Sequence, residues 1–373
     1  MRVIILGTAW PYRGGLAAFN ERLARQFMAE GHDVEILTFT LQYPGFLFPG
    51  KTQYSADPQP EDLRITRVMN SVDPISWVRT GRLIRRKKAD LLVIKFWIPL
   101  MAPCLGTIAR IARRGGTKVV SVLDNVIPHE PHFWDKWFVR YFIKSADKFV
   151  AMSDSVRTDC EKFLNRKHPQ PVTLCPHPLY DNFGVPVPKD EARRLLGLSP
   201  AAVCLLFFGF IRDYKGLDLL LRAYSDPRFA GKNVQLVVAG EFYNNGTQYA
   251  QLEQELGLKG RIVWRTDFIP DDYVRVYFSA ADLVVQPYKT ATQSGVTQIA
   301  YHFSKPMIVT DVGGLAEIVP DGKVGYVTAV EPTAIADAIL DFCARGNTEC
   351  FRAGIEEEKK KYGWDRMTEA IMN

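Results

Sequence analysis

The chain has 373 residues, of which 47% are hydrophobic and 24% charged, with a formal net charge of +6. That length exceeds one compact α/β core and suits two domains of about 150–200 residues each. The composition is that of a folded protein, and no run of about 18 apolar residues offers a membrane span. Met1 to Leu6 enter a buried-strand pattern directly, without the apolar region and cleavage site of a signal peptide, so a cytoplasmic location is expected. The six cysteines are scattered without Cys-x-x-Cys or zinc spacing, and read as buried free thiols of a reducing compartment.

In the first half, short apolar runs rich in β-branched residues predict strands at 3–6, 34–38, 91–95, 119–123, 149–152 and 172–175. Helical periodicity separates most of them, at 16–30, 77–87, 99–113, 133–145 and 154–164. Gly31 is placed to end the first helix, and Ser153-Asp154-Ser155 to begin another. The proline-rich stretch 176–188 can continue neither element and reads as a linker. Alternation then restarts, with strands predicted at 204–208, 234–239, 262–264, 283–286 and 307–310 and a helical tail at 353–373. Strand–helix alternation of this kind argues parallel sheets covered by helices on both faces, with ligands at the carboxyl ends of the strands.

The positive charge is uneven. Arg79, Arg82, Arg85, Arg86, Lys87 and Lys88 form one cluster, and Arg110, Arg113 and Arg114 a second. A third stretch, 133–144, interleaves bases with Phe133, Trp134, Trp137, Phe138 and Tyr141. The spacing of these aromatics is that of a core-facing stripe; the alternative is a surface toward anionic lipid. The arginine clusters suit either lipid proximity or solvated faces.

Several turns could carry chemistry. Gly14-Gly15 follows the first strand and opens a long helix, where unobstructed amides can receive an anion or hydroxyl. The pattern is not Gly-x-Gly-x-x-Gly and no Walker sequence occurs, so nicotinamide binding is poorly supported. Phe207-Phe-Gly-Phe-Ile-Arg-Asp-Tyr-Lys-Gly-Leu217 reads as strand, glycine turn, two bases and helix, which sets Arg212 and Lys215 to clamp a diphosphate near Gly209. Ser294-Gly295, with Val296 behind it, stands at a predicted helix start, and Asp311-Val-Gly-Gly-Leu-Ala-Glu317 forms the next turn. Glu317 either accepts hydroxyl hydrogen bonds or caps the short helix behind it.

In this order, Gly14-Gly15, Gly31-His-Asp-Val34, Phe208-Gly-Phe-Ile-Arg-Asp-Tyr-Lys-Gly216, Ala280-Ala-Asp-Leu283, Lys305-Pro-Met-Ile-Val-Thr-Asp-Val-Gly-Gly-Leu-Ala-Glu317 and Tyr362-Gly-Trp-Asp365 resemble the motifs of retaining glycosyltransferases of family 4. The resemblance covers essentially the whole length. It implies the GT-B fold, α/β with two Rossmann-like doubly wound domains facing a central cleft. The domains expected are an acceptor-side 1–185, a nucleotide-sugar-binding 186–355 and a helix 356–373 crossing back. It further implies that Gly14 and Gly15 contact the donor sugar or phosphates and that Lys215 neutralises the leaving diphosphate. Arg212 shares that role, although the family often places an arginine about where Phe210 stands. The loop beginning at Phe268 and Ile269 would meet the base, mostly through backbone groups.

Two departures from the family pattern stand out. Its Glu-x7-Glu signature would fall near Ala291–Gln293 and near Gln298 or Ile299, yet from Leu283 to Thr310 there is no carboxylate. Gln293 and Gln298 can hydrogen-bond sugar and ribose hydroxyls but cannot stabilise positive charge. Related chains often place His-Asn where this one has Asp124-Asn125; His129 and Glu130 follow in the same loop as sugar or acceptor-side candidates. The resulting expectation is metal- and cofactor-independent retaining transfer from a nucleoside-diphosphate sugar to a glycan or lipid-linked acceptor in cell-surface polysaccharide synthesis. Asp124, Arg212 and Lys215 would carry the chemistry. Peripheral contact with an anionic membrane fits this setting; no nucleic acid is expected. The alternatives are a sugar-nucleotide epimerase of the same fold and a non-catalytic sugar-nucleotide-binding scaffold.

Overall fold

The computed structural model describes residues 1–44, 52–55, 58–127, 133–165, 169–243, 246–291, 294–345 and 349–373. Runs of Val, Ile and Leu that are buried on both sides cannot serve as half-exposed antiparallel strands, and they pair in parallel. The first seven strands are β1 (Arg2–Leu6), β2 (Asp33–Leu41), β3 (Ile65–Asn70), β4 (Leu91–Phe96), β5 (Lys118–Leu123), β6 (Lys148–Ala151) and β7 (Val172–Leu174). They form one sheet in the order β3-β2-β1-β4-β5-β6-β7, every pairing parallel. Between them run α1 (Gly15–Ala29), α2 (Pro74–Lys87), α3 (Ala102–Arg113), α4 (Asp135–Ile143) and α5 (Asp154–Glu161). Ser153 caps α5 by accepting from the Val156 N–H, and Gly31, at φ 83°, turns the chain out of α1. Both follow from the local residue chemistry.

The sheet separates two cores by the twofold alternation of its strands. Ile4, Leu6, Leu92 and Ile94 face Ile84 of α2, Leu105 and Ile108 of α3, and Val139 and Phe142 of α4. Val3, Ile5, Val93 and Val120 face Phe19, Leu23 and Phe27 of α1.

The second sheet contains β8 (Val203–Phe208), β9 (Val234–Ala239), β10 (Ile262–Arg265), β11 (Leu283–Gln286), β12 (Met307–Thr310) and β13 (Gly325–Thr328). Its order is β10-β9-β8-β11-β12-β13, again with parallel pairings. Its helices are α6 (Lys189–Leu196), α7 (Leu217–Tyr224), α8 (Thr247–Glu255), α9 (Asp271–Ala280), α10 (Gly295–His302), α11 (Leu315–Ile318), α12 (Pro332–Arg345) and α13 (Glu349–Glu358). The last helix, α14 (Trp364–Met372), packs Trp364, Met367 and Ile371 into the core that holds α1. The chain accordingly divides into unit 1, Met1–His177 with Gly363–Asn373, and unit 2, Pro178–Tyr362. The proline-rich stretch 176–188 straddles the first of these boundaries, and the division falls at 177/178 rather than at 185/186. The tail breaks at Gly363, so the returning segment is 363–373 rather than 356–373.

Two strands lack a sequence-based expectation. β3 is an edge strand with a single fully buried residue, Met69, and β13 is only Gly-Tyr-Val-Thr. A further expectation is overturned. The aromatic stripe of 133–145 faces the core only through Phe138, which packs against it partly buried: Phe133 is 83% exposed and Trp137 71%, while Val139, Phe142 and Ile143 supply the buried face of α4. The cysteines are all free, but Cys350 is exposed and Cys343 only partly buried. No helix among the described residues is long and apolar enough to cross a membrane.

Candidate active site

In unit 2 the strand order reverses between β8 and β11, which opens a crevice at their carboxyl ends. β8 delivers Gly209 there at φ 96°, a conformation suited to glycine. A Cβ at Gly209 would lie 2.9 Å from Lys215 Nζ and 3.7 Å from Val296 Cγ2, so two of the expected donor-binding residues and one expected catalytic residue meet at this point. The turn that carries Lys215 is fixed by Gly216, at φ 66°, whose missing Cβ would otherwise stand 1.9 Å from the Pro287 carbonyl oxygen at the end of β11.

Lys215 is buried, and burial, followed by the charge of Arg212, presses its pKa from 10.5 down to about 8. No carboxylate and no hydrogen-bond acceptor meets its ammonium among the described residues; its one neighbour of note is the Tyr288 ring, 5.5 Å away. Asp213, two residues before it, is taken by Lys289, which also pairs with Asp218, both at 3.0 Å. Arg212 likewise has no acid partner among the described residues and lies 4.1 Å above the Tyr243 ring. Two cations side by side without counter-ions, one of them desolvated, make a site for an anion.

β11 leads through Tyr288 to Ser294, the residue before α10. The Ser294 side chain is buried and does not cap the helix; its Oγ lies 3.3 Å from Tyr288 Oη. The N–H groups at this helix start are therefore not met by their own N-cap side chain. Gly295 is required by Tyr180, whose Cε2 would stand 2.8 Å from a Cβ. Behind the turn Thr297 donates to Gln286 Oε1 at 3.1 Å. Gln298 is fully buried, and neither atom of its amide has a hydrogen-bond partner among the described residues. Such an orphan costs about 1–3 kcal/mol in the free protein, which a ligand hydroxyl would recover. Of the two positions proposed for the second family glutamate, Gln298 is thus the polar one, and Ile299 is buried apolar.

Glu317, in the first turn of α11, is exposed, and α11 has no side-chain cap among the described residues. Phe268 is 47% exposed on the loop after β10, with Ile269 half-buried beside it. Phe210, at the position of the family arginine, is exposed. Gln293, His129 and Glu130 lie outside the described residues.

Unit 1 has its own candidates. Gly14, at φ 100°, precedes α1 without a side-chain cap, leaving exposed backbone at Gly14 and Gly15. Asp124 and Asn125 follow β5. The Asp124 carboxylate is not poised alone: it pairs at 3.0 Å with Lys95 Nζ, which is buried within β4 and rests 3.3 Å over the Phe19 ring. Desolvation lowers the pKa of Lys95 and the Asp124 charge counters it. Asp124 therefore has a structural duty that its place in the sequence did not reveal. The signal was present in Leu-Leu-Val-Ile-Lys-Phe, where one lysine interrupts a wholly buried strand. Tyr288, Tyr243, Gln286 and Thr297 were also missed, because their roles come from neighbours in space.

Comparison with known proteins settles the family. Residues 202–345 match the pattern of the family described as "Glycosyl transferases group 1", and residues 13–179 that of "Glycosyltransferase Family 4". The chain belongs to this glycosyltransferase family. Among its curated relatives is the D-inositol 3-phosphate glycosyltransferase of Actinosynnema mirum, 29% identical over 240 residues that make up 62% of this chain and 57% of that protein. The lipopolysaccharide 1,2-N-acetylglucosaminetransferase of Salmonella typhimurium is 29% identical over 193 residues, 49% of this chain and 50% of that one. The chain spans about half the length of these relatives. Among solved structures, sucrose-phosphate synthase from Thermosynechococcus elongatus superposes with a TM-score of 0.75 at 18% identity, covering 99% of this chain and 97% of that one. The Anabaena protein HepE in complex with UDP gives 0.73 at 16%, covering 100% and 98%. The glycosyltransferase fold is GT-B, α/β with two parallel sheets.

Proposed function

We propose that this glycosyltransferase takes a sugar from a nucleoside diphosphate and passes it, with retention of configuration, to a glycan or lipid-linked acceptor. The observation that carries the reading is Lys215: a buried ammonium at the sheet's switch point, with no counter-ion among the described residues and with Arg212 as its charged neighbour. A diphosphate supplies the missing charge. As the anomeric carbon gains oxocarbenium character, negative charge builds on the leaving diphosphate, where Lys215, Arg212 and the amides of Ser294-Gly295 stabilise it. The leaving phosphate oxygen takes the acceptor proton on the same face, so no glutamate is required near Ala291–Gln293. Gln298 and Glu317 offer hydrogen bonds to hydroxyls of the donor, and Phe268-Ile269 a wall for the base. In unit 1, Gly14-Gly15 at the start of α1 and the Asn125 amide after β5 are the groups we assign to hydroxyl or phosphate oxygens of a sugar. With the charge supplied by side chains and amides, chelators should leave turnover unchanged.

Two relatives are named for an inositol phosphate and for lipopolysaccharide, so phosphorylated polyols and lipid-linked glycans are the acceptors to try first. Incubation with UDP-, GDP- and ADP-sugars and these acceptors should release diphosphate and give a product with the donor's anomeric configuration. One observation favours a second reading, a donor binder without turnover: amides or apolar residues stand where the family's glutamate pair is expected. Donor binding with no release under any acceptor would favour that reading and refute transfer.

A further inference from the structure

Three helices of unit 1, α2, α3 and α4, pack on one face of the first sheet through Ile84, Leu105, Ile108, Val139 and Phe142. They form a single layer, with α3 touching both neighbours. The outer side of this layer is unusual at both ends.

On α2, Ile75, Arg79, Arg82 and Arg86 follow one another at helical spacing, all exposed, and Ile75 is 62% exposed. The helix carries no acidic residue from Pro74 to Lys87. Arg79, Arg82, Arg85, Arg86 and Lys88 line a groove of about 960 Å³ that runs to Gly115 and Gly116 at the end of α3. None of these five side chains has an acid partner among the described residues, whereas Lys87 beside them pairs with Glu35 at 2.8 Å. The one carboxylate lining the groove, Asp90, is already held by the Arg2 backbone N–H at 2.6 Å. On α4, Trp137, Tyr141 and the preceding Phe133 stand outward among the exposed bases Lys136, Arg140 and Lys144.

We propose that the outer faces of α2 and α4 form a docking surface for an anionic lipid bilayer, with the arginines of α2 meeting lipid phosphates and Trp137 and Phe133 entering the interface. Several cations without counter-ions complement a negative leaflet, and each strengthens attachment by about fivefold within a Debye length of the surface. Exposed Trp and Tyr are placed where an amphipathic ring is stable at headgroup level. A single-stranded nucleic acid would want the aromatic faces free for stacking, but Arg110 already covers the Tyr141 ring at 3.7 Å, and Thr107 holds its hydroxyl at 2.7 Å. The surface is built from residues of unit 1 and Lys215 belongs to unit 2, so its failure and that of the transfer reading are distinguishable.

The test is flotation of the full chain with vesicles of phosphatidylglycerol and phosphatidylcholine in equal parts, with phosphatidylcholine vesicles, inorganic phosphate and single-stranded RNA as the other arms. The expected result is binding to the anionic vesicles only, weakened by salt. It should fall about a hundredfold in R79E/R82E/R86E and several-fold in W137A, with nucleoside-diphosphate binding unchanged in both. Equal binding to both vesicle types overturns the proposal, as does displacement by inorganic phosphate at constant ionic strength. Binding of RNA but not vesicles, or full vesicle binding by the triple variant, also overturns it.

Discussion

Burial and the neighbouring Arg212 charge press Lys215 toward its neutral form, to a pKa of about 8. A bound diphosphate needs the charged form. Donor affinity should therefore be flat below that pH and fall by up to about tenfold per unit above it, a break that K215R moves upward because arginine stays charged. A titration of nucleoside-diphosphate affinity against pH checks this. The same depressed pKa makes the unliganded fold gain stability as pH rises from about 8 toward 10.5, since the unfolded chain then holds the proton that the folded one has lost. Gln298→Met should raise stability by about 1 kcal/mol, by removing a buried amide without partners, and should weaken donor binding in calorimetry. Asp124→Ala should cost about 3–5 kcal/mol in denaturant unfolding by stranding Lys95, with much of the loss recovered in K95M/D124A. That Lys215 and Arg212 lie together after β8 was legible in the sequence because strand, glycine, bases and helix lie within one short stretch. The Lys95–Asp124 pair was not, since it joins β4 to the turn that follows the adjacent strand β5.

The elements themselves were legible where their residues agree on a period and a cap, as in α1 with Gly31 and α5 with Ser153. The aromatic stripe of α4 shows where this stops. Trp137 and Tyr141 share one face, while Val139, Phe142 and Ile143 share another, and both sets have helical spacing. Periodicity finds a stripe, but packing against α3 and the sheet decides which stripe is buried. Glycine turns are stricter. Gly216→Ala meets both a positive φ and the Pro287 carbonyl, so it should destabilise unit 2 by about 2–4 kcal/mol and displace Lys215. Thermal unfolding together with donor affinity would check both effects.

Across the whole chain, strand–helix alternation announced two parallel sheets, and both are present. The order of strands within each sheet was not legible, because it depends on which neighbours close a common core. It is that order that sets β8 beside β11 and brings Gly209, Lys215 and Val296 together. The return of α14 to unit 1 was foreseen only through family resemblance. Deleting residues 363–373 removes Trp364, Met367 and Ile371 from the core holding α1, a loss of about 1.5–3 kcal/mol for each side chain. The truncated chain should show unit 1 unfolding at lower denaturant concentration. The central claim, that Lys215 anchors a nucleotide sugar by its diphosphate, is tested most directly by calorimetric binding of UDP, GDP and ADP, and of the bare nucleosides, to wild type and K215A. One diphosphate should bind the wild type and lose about a hundredfold or more in K215A, with the bare nucleoside unaffected. Equal diphosphate affinity in the two proteins would contradict it.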